Sequence, residues 1–146
     1  FLEGLPDNSL GGIFSAQFIE HLPPAGYVRL IRLAYQKLRP GGALLLETQN
    51  PECLAIFSQS FFVDPTHRQP IPAAQLRFWM KEAGFGGLAT HYVSPVAPKL
   101  PQLPLLEGAE NDPAIARWNQ QAARFNETYF GCQNYAAFGL KPQEEY

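Results

Sequence analysis

A stripe of apolar residues follows Pro23-Pro24 and predicts the first long helix of the chain. Its members recur at i, i+3, i+4, i+7 and i+11, which is the spacing of one helix face: Tyr27, Leu30, Ile31, Ala34 and Leu38. A proline pair is well tolerated where a helix begins, and Pro40 with the two glycines after it predicts the helix end and a turn. The pattern therefore predicts a helix with one buried face between these prolines.

Two short apolar runs flank this helix and predict strands. Residues 12–15 are partly β-branched and follow a turn cluster, and residues 43–47 form a continuous apolar run that is typical of a strand covered on both faces. Strand, helix and strand at this spacing form a βαβ unit, so the two strands are expected to be parallel.

The rest of the chain predicts three further helices and two further strands. Each helix start carries a proline in its first turn: Asn50-Pro51, Pro72 and Asp112-Pro113. Asn50 is expected to cap the helix that it precedes. Residues 88–93 and 135–141 predict strands. Four prolines predict an irregular excursion over residues 94–106: Pro95, Pro98, Pro101 and Pro104.

Composition narrows the class of protein. A chain of 146 residues that is 46% hydrophobic can bury one ordinary core, and its net charge of -2 makes nucleic acid a poor partner. No apolar run is long enough for a membrane span, so we expect a soluble, cytoplasmic protein. Cys53 and Cys132 lack the close spacing of metal or redox motifs and are expected to be free thiols.

Three segments carry a family resemblance: "LPDNSLGGIFSAQFIEHL", "LAYQKLRPGGALLLETQNP" and "LRFWMKEAGF". They resemble the second half of class I (Rossmann-like) methyltransferases that use S-adenosylmethionine. The resemblance implies an α/β fold, the second half of a seven-stranded sheet, with two parallel strands, a C-terminal antiparallel hairpin and flanking helices. Residues 94–128 would be an insertion between the last two strands. The runs "ETQNP" and "FVDPTH" resemble the branch that acts in surface-polysaccharide and O-antigen assembly.

Two features of the family pattern have no match in this sequence. These are the glycine-rich E-x-G-x-G loop after a first strand and the acidic residue that ends a second strand and holds the ribose hydroxyls. By the family pattern three strand-helix units, on the order of 90 residues, would precede Phe1. We therefore expect residues 1–146 to be a partial domain that binds S-adenosylmethionine poorly and is inactive on its own.

The carboxyl ends of the parallel strands are where a ligand is expected. By resemblance, Ser15, Ala16 and Gln17 lie beside the methionine portion of the cofactor. His21, in the family's "EHL" position, is a candidate to take a proton from the acceptor, and a packed structural histidine is the alternative. Thr48 or Gln49 is expected to face the substrate. A structural loop is the alternative for the first run.

Residues 64–68 combine a carboxylate, an imidazole and a guanidinium in irregular backbone. Asp64 could orient His67 and raise its basicity, so that His67 takes a hydroxyl proton, while Arg68 contacts a phosphate. The alternative is a loop salt bridge of little energetic value. A metal site is not expected, because one histidine and one aspartate are too few ligands.

The sequence thus predicts methyl transfer to an oxygen of a sugar, a phosphate or another small molecule. The alternative is a non-enzymatic binding or assembly module derived from a methyltransferase. A truncated sheet would leave the edge of its first strand open, so we also expect a homo-oligomer through that edge, or a preceding segment that covers it.

Overall fold

The computed structural model describes residues 1–95 and 102–143 and contains one mixed four-stranded sheet. The strands are β1 (Leu10–Ala16), β2 (Leu38–Gln49), β3 (Gly86–Pro95) and β4 (Cys132–Leu140). Their order is β1-β2-β4-β3; β1 and β2 are parallel, and β4 is antiparallel to both of its neighbours. The predicted parallel pair and antiparallel C-terminal pair are confirmed.

Within residues 1–95 and 102–143, four α-helices connect and flank the strands. They are α1 (Pro24–Lys37), α2 (Ala55–Gln59), α3 (Ala73–Glu82) and α4 (Pro113–Phe130). The predicted start of α4 is confirmed, because the Asp112 side chain accepts a hydrogen bond from the Ala114 amide at 2.7 Å. None of the helices in the described part of the chain is long and apolar enough to cross a membrane.

The boundary between α1 and β2 differs from the prediction. The helix ends at Lys37, and Leu38 already pairs with Leu10 of β1. The next pair is Gly12 with Ala43, so one residue of β1 lies opposite four residues of β2, 39–42. Gly41 has φ +78°, which glycine adopts without a steric penalty. Strand pairing, rather than the proline, therefore ends the helix.

The main core lies between the sheet and the two helices α1 and α3. Its largest wholly buried members come from both helices, from β2 and β4, and from two connecting segments: Tyr27, Tyr135, Ile19, Ile31, Leu38, Leu44, Leu46, Ile71, Leu76 and Met80. Along β2, buried residues alternate with half-buried ones. The face toward α1 and α3 is fully packed, and the described residues cover the other face, predicted to be covered as well, only in part.

A second, smaller core joins α2 to the C-terminal end of α4. Its buried members are Cys53, Ala55, Ile56, Phe61 and Phe130. Both cysteines are free, as predicted. Of the predicted excursion, Pro98 and Pro101 lie outside the described residues. That residues 94–128 form an insertion stays a prediction.

Asn50 does not cap a helix. Its side-chain oxygen accepts from the Glu52 amide at 3.1 Å, but residues 51–53 form turns and α2 begins only at Ala55. The Asn50 amide nitrogen donates to the Cys132 carbonyl at 2.9 Å. Asn50 is buried and ties the end of β2 to the start of β4, and this tertiary contact replaces the predicted helix cap.

Candidate functional site

The chain leaves β1 through a strained turn at the carboxyl end of the sheet. Ser15 is half-buried, and Ala16 and Gln17 are exposed. Gln17 has φ +50°, which is uncommon for a residue with a side chain, and its amide donates to the Glu47 carbonyl of β2 at 3.0 Å. The three residues predicted to contact a cofactor therefore lie where ligands bind in such sheets.

A single helical turn, Ile19–His21, follows and buries a carboxylate. Glu20 is wholly buried. One carboxylate oxygen accepts a hydrogen bond from the Thr48 hydroxyl at 2.8 Å, and the other has no partner among the described residues. A buried carboxylate is costly unless it is paired. The second oxygen of Glu20 is therefore available to a further hydrogen-bond donor or to a cation at the site.

The segment 61–68 lies against this turn. The Arg68 amide donates to the Glu20 carbonyl at 2.9 Å, and Arg68 Nε donates to the His21 carbonyl at 3.1 Å. These contacts join two segments that are far apart in sequence. Part of the Arg68 guanidinium therefore has a structural task.

Asp64 orients His21 through Thr66. The Thr66 hydroxyl and amide donate to the same Asp64 oxygen at 2.6 and 2.8 Å. These two hydrogen bonds hold the pKa of Asp64 below its ordinary value. Because the Thr66 hydroxyl donates its only hydrogen to Asp64, its oxygen must accept a hydrogen bond from His21 Nδ1, 2.7 Å away.

Asp64 does not form the hydrogen bond that was expected to orient His67. His67 Nδ1 lies 2.7 Å from the Phe61 carbonyl oxygen, which can only accept, so Nδ1 carries the proton. Asp64 is 3.9 Å from His67 Nε2, beyond hydrogen-bond distance. A backbone carbonyl six residues away takes the role because the segment folds back on itself.

The two histidines and Glu20 form one cluster. The imidazole rings of His21 and His67 lie 4.6 Å apart between centroids. One ligand atom of each of the three side chains lies within 4.8 Å of the others. The structure thus brings all three predicted catalytic residues, His21, Asp64 and His67, to one place and adds Glu20.

Sequence reasoning missed Glu20 although it quoted the "EHL" motif. Periodicity assigns a charged residue to solvent by default. The signal that it is buried was its neighbourhood: Ile19 and Leu22 are apolar, so the short turn has little polar surface. The partner that holds it, Thr48, is 28 residues away, and only the parallel pairing of β1 with β2 places them together.

The predicted substrate residues divide into two groups. Thr48 is buried and donates its hydroxyl to Glu20, and its contact with a substrate stays a prediction. Gln49 is half-buried, and its side-chain oxygen is buried and has no partner among the described residues. Arg68 is accessible beside the cluster, since its bond to the His21 carbonyl is exposed. Gln49 and Arg68 remain the candidates for substrate contact.

Tyr135 of β4 supports the cluster from the sheet. It is wholly buried, and its hydroxyl donates to the Ile71 carbonyl at 2.7 Å. Burial, and next the negative charge of Glu20, raise the pKa of Tyr135 far above its ordinary value. Tyr135 is therefore a neutral donor that fixes the chain just after the segment 61–68.

Two cavities lie near the carboxyl end of the sheet. One of about 530 Å³ is lined by Asn50, Cys53, Tyr92 and other residues that follow β2 and precede β4. The other, of about 420 Å³, lies along β1 and is lined mainly by apolar residues, with Ser15 at its wall. The cluster lines neither cavity, so its chemistry, and not cavity size, identifies it as the candidate site.

Comparison with solved structures finds the same fold in methyltransferases that use S-adenosylmethionine. One from Archaeoglobus fulgidus is 28% identical and has a TM-score of 0.87; the match covers 96% of this chain and 63% of that protein. One from Thermotoga maritima is 17% identical, with a TM-score of 0.61, covering 94% and 58% of the two chains.

A third similar structure is phosphoethanolamine N-methyltransferase 2 of Haemonchus contortus, in complex with phosphomonomethylethanolamine and S-adenosylhomocysteine. It is 17% identical, with a TM-score of 0.57, and the match covers 96% of this chain and 35% of that one. No family model matches the sequence, and no curated protein matches it either. The chain has the class I methyltransferase fold and spans less than two thirds of the length of these three structures.

Proposed function

We propose that this chain is part of a methyltransferase that moves the methyl group of S-adenosylmethionine to an oxygen of a sugar, a phosphate or another small molecule. The observation that carries the proposal is the similarity to the Archaeoglobus fulgidus methyltransferase over 96% of the chain, at a TM-score of 0.87. At 28% identity this is more than a shared architecture. The acceptor is the part that rests on the residues of the site.

The residues at the end of β1 fit one side of the cofactor. Ser15 offers a hydroxyl, and the strained backbone at Gln17 presents an exposed carboxamide at the edge where ligands bind. When bound, the cofactor supplies a methyl group activated by a positively charged sulfur. The sequence has no glycine-rich loop and no acidic strand end for the ribose. We infer that residues outside 1–146 complete the site and that this chain alone binds weakly.

The acceptor oxygen would meet the cluster of Glu20, His21 and His67. Methyl transfer asks the protein to align the acceptor, to exclude water and to remove a hydroxyl proton. The neutral His67 ring holds its proton on Nδ1, so its Nε2 has a lone pair that can accept one. His67 is the group that we assign to proton removal, and the Glu20 carboxylate stabilises the positive charge that results.

Gln49 and Arg68 are assigned to acceptor binding. The Gln49 oxygen has no partner and would accept from a sugar hydroxyl once its side chain becomes exposed, and Arg68 can add a cation beside the cluster. A phosphorylated or sugar acceptor agrees with the likeness of "ETQNP" and "FVDPTH" to the surface-polysaccharide branch. We propose that class of acceptor on these grounds.

The outer edge of β1 is proposed as a contact surface. Among the described residues β1 has a sheet neighbour on one side only, Phe14 is 63% exposed and an apolar cavity runs along the strand. An open, apolar strand edge favours pairing with further chain. We infer that either a longer chain or a second copy covers it, and light scattering that finds residues 1–146 monomeric in solution would contradict the second copy.

The cofactor assignment is tested by calorimetric titration of S-adenosylhomocysteine. It is added to residues 1–146 and to a longer form that includes whatever the gene encodes before Phe1. Tight binding by the longer form and weak binding by residues 1–146 supports the proposal, and Gln17→Ala should weaken it while Gln121→Ala, an exposed glutamine on α4, should not. Binding by neither form would favour the non-enzymatic module.

The catalytic assignment is tested by radioactive methyl transfer from S-adenosylmethionine to a panel of sugars and sugar phosphates. His67→Ala in the longer form should lower turnover by about 10²- to 10⁴-fold, the usual effect of losing a general base. His91→Ala is the matched control, because His91 is exposed on β3. Undiminished turnover in His67→Ala would remove His67 from the mechanism.

A further inference from the structure

Glu20, His21 and His67 place three groups that can accept a hydrogen bond or bind a cation close to one another. Two imidazoles and one carboxylate offer ligand atoms within 4.8 Å of one another, from two segments that lie far apart in sequence. Residues 64–68 alone supply one histidine and one aspartate, too few ligands for a metal site. The fold adds a carboxylate and a second imidazole from the Ile19–His21 turn, and the count becomes three.

Both histidines are held in the tautomer that a metal ligand adopts. His21 Nδ1–H donates to the Thr66 hydroxyl oxygen, and that hydroxyl donates to Asp64. His67 Nδ1–H donates to the Phe61 carbonyl. In its neutral form each ring therefore has its lone pair on Nε2. Histidines that bind metals almost always donate their other ring N–H to a carbonyl or to a carboxylate-linked group in this way. The supporting contacts of a metal site are present on both rings.

The burial of the Glu20 carboxylate also favours a cation at this site, apart from the orientation of the two histidines. It is wholly buried, Thr48 satisfies only one of its oxygens, and the other has no partner among the described residues. An ionised carboxylate without a second partner is costly to bury, and two imidazole lone pairs beside it add no donor. A cation among the three groups would satisfy all of them together. We propose that Glu20, His21 and His67 bind one divalent transition-metal ion.

The ligand chemistry matches Zn²⁺. Two histidines and one glutamate with an open fourth position form a known catalytic zinc set, and imidazole with carboxylate suits borderline cations better than Mg²⁺ or Ca²⁺. Tetrahedral ligands of Zn²⁺ lie roughly 3.3 Å from each other, given bonds of about 2.0–2.1 Å. The three ligand atoms lie within 4.8 Å of one another, so they would have to move closer together to bind the ion.

The metal would define how the acceptor is activated, and this step rests on the proposed function. An acceptor hydroxyl bound at the open position would lose its proton to solvent more readily, because the cation stabilises the alkoxide. The oxygen then bonds to the methyl carbon, the carbon–sulfur bond breaks, and its electron pair stays on sulfur. With the metal bound, His67 Nε2 is a ligand, and the cation promotes the loss of the proton that the free His67 base would otherwise accept. The substrate class is then an acceptor with a hydroxyl that can bind a metal.

Metal binding is tested without cofactor or acceptor, so that it can succeed or fail independently of methyl transfer. The protein, freed of metal by chelator, is titrated with Zn²⁺ by calorimetry and with Co²⁺ by visible absorption. We expect one ion per chain and a Co²⁺ spectrum without a thiolate charge-transfer band. Glu20→Gln, His21→Ala and His67→Ala should each lose about 100-fold or more in affinity, at or beyond the effect of losing a supporting contact. His91→Ala should lose none.

A second variant tests the supporting contact. Thr66→Ala removes the acceptor of His21 Nδ1–H and should weaken Zn²⁺ binding about 10- to 100-fold, and Thr66→Ser should restore it. Circular dichroism checks that each variant is folded. Unchanged affinity in the three ligand variants, no binding by the wild type, or a thiolate band that places the ion at Cys53 or Cys132 would each overturn the proposal.

The two proposals are then separated by one further measurement on the longer form. Loss of methyl transfer on chelation, with S-adenosylhomocysteine still bound, supports the metal in the proposed reaction. Zn²⁺ bound at the cluster without any binding of S-adenosylhomocysteine would overturn the proposed function and keep the metal site. Full methyl transfer in the metal-free protein would overturn the metal's role in activating the acceptor.

Discussion

Helices α1 and α4 have similar sequence patterns and different surroundings. Both begin with a proline in the first turn and carry an apolar stripe. In α1 that stripe is buried between β2 and α3. In α4 only Ala122 and Phe130 are buried, while Trp118 is 41% and Phe125 is 49% exposed. An apolar stripe therefore predicts a helix and its apolar face, whereas tertiary structure decides what packs against that face.

Polar contacts, more than apolar packing, hold α4 to its neighbouring segment. Asn119 forms two hydrogen bonds to the backbone of Leu106, both 2.7 Å long, and Asn126 forms two to the backbone of Leu103, both 2.9 Å long. Trp118 adds a bond from its indole nitrogen to the Pro104 carbonyl. The segment 103–106 is therefore attached to α4 as a strip fixed at both ends.

The largest loss of stability is expected from a substitution in the core beside α1. Ile31→Ala empties a wholly buried site and should lower the free energy of unfolding by about 2–5 kcal/mol, measured by denaturant titration. Ile115→Ala, the same change at a half-buried position of α4, is the control and should cost clearly less. Equal losses in the two variants would mean that α4 is packed as well as α1 in solution.

An intermediate effect is expected at the asparagine contacts. Asn126→Ala removes both hydrogen bonds to Leu103 and should cost about 1–3 kcal/mol, since each such bond contributes about 0.5–1.5 kcal/mol. Faster amide exchange at Leu103 is the direct readout. Gln120→Ala removes a carboxamide from an exposed position of the same helix, so it serves as the control and should leave that exchange unchanged. If Asn126→Ala also leaves it unchanged, the strip is held by other contacts.

The helix cap of α4 should contribute about 1 kcal/mol. Asp112→Ala removes the acceptor of the Ala114 amide and should loosen the first turn, which amide exchange resolves residue by residue. Asp112→Asn keeps an acceptor and should retain most of the stability. A loss spread evenly over the whole domain would indicate that α4 unfolds together with the main core.

The smallest effect is expected at Phe125. Because its ring is 49% exposed, Phe125→Ser should change the free energy of unfolding by no more than about 0.5 kcal/mol. The ring stacks on Tyr129, with centroids 5.7 Å apart, and this contact accounts for the small loss. A loss above about 2 kcal/mol would exceed what an exposed site contributes and would mean that a second copy of the chain covers this face in solution.

The sequence predicted the elements of the fold better than their contacts. Periodicity located α1, α3 and α4, because local spacing determines a helix face. It misplaced the start of β2 at residue 43, because the pairing of Leu38 with Leu10 is a long-range contact. For the same reason it assigned Asn50 to a helix cap, when its partner Cys132 is 82 residues away.

The sequence predicted which residues belong to the candidate site better than it predicted the hydrogen bonds between them. His21, Asp64 and His67 were named from motif and residue type, and the fold brings them together. Which group orients which histidine depends on Thr66 and on a backbone carbonyl, and neither has a sequence signature. Glu20 was missed because burial of a charge is decided by tertiary packing.

The strand order has a consequence for how the protein is made. β4 is the last strand in sequence and lies between β2 and β3. While the ribosome is still adding residues before Cys132, β3 lacks its β4 partner and the β2 edge is bare. The nascent chain can assemble β1, α1 and β2 early, but the sheet closes only after Leu140 has emerged. Chaperone protection during synthesis is therefore expected to concentrate on the β2 edge and on β3, and a stop codon just before β4 should leave a product destined for proteolysis.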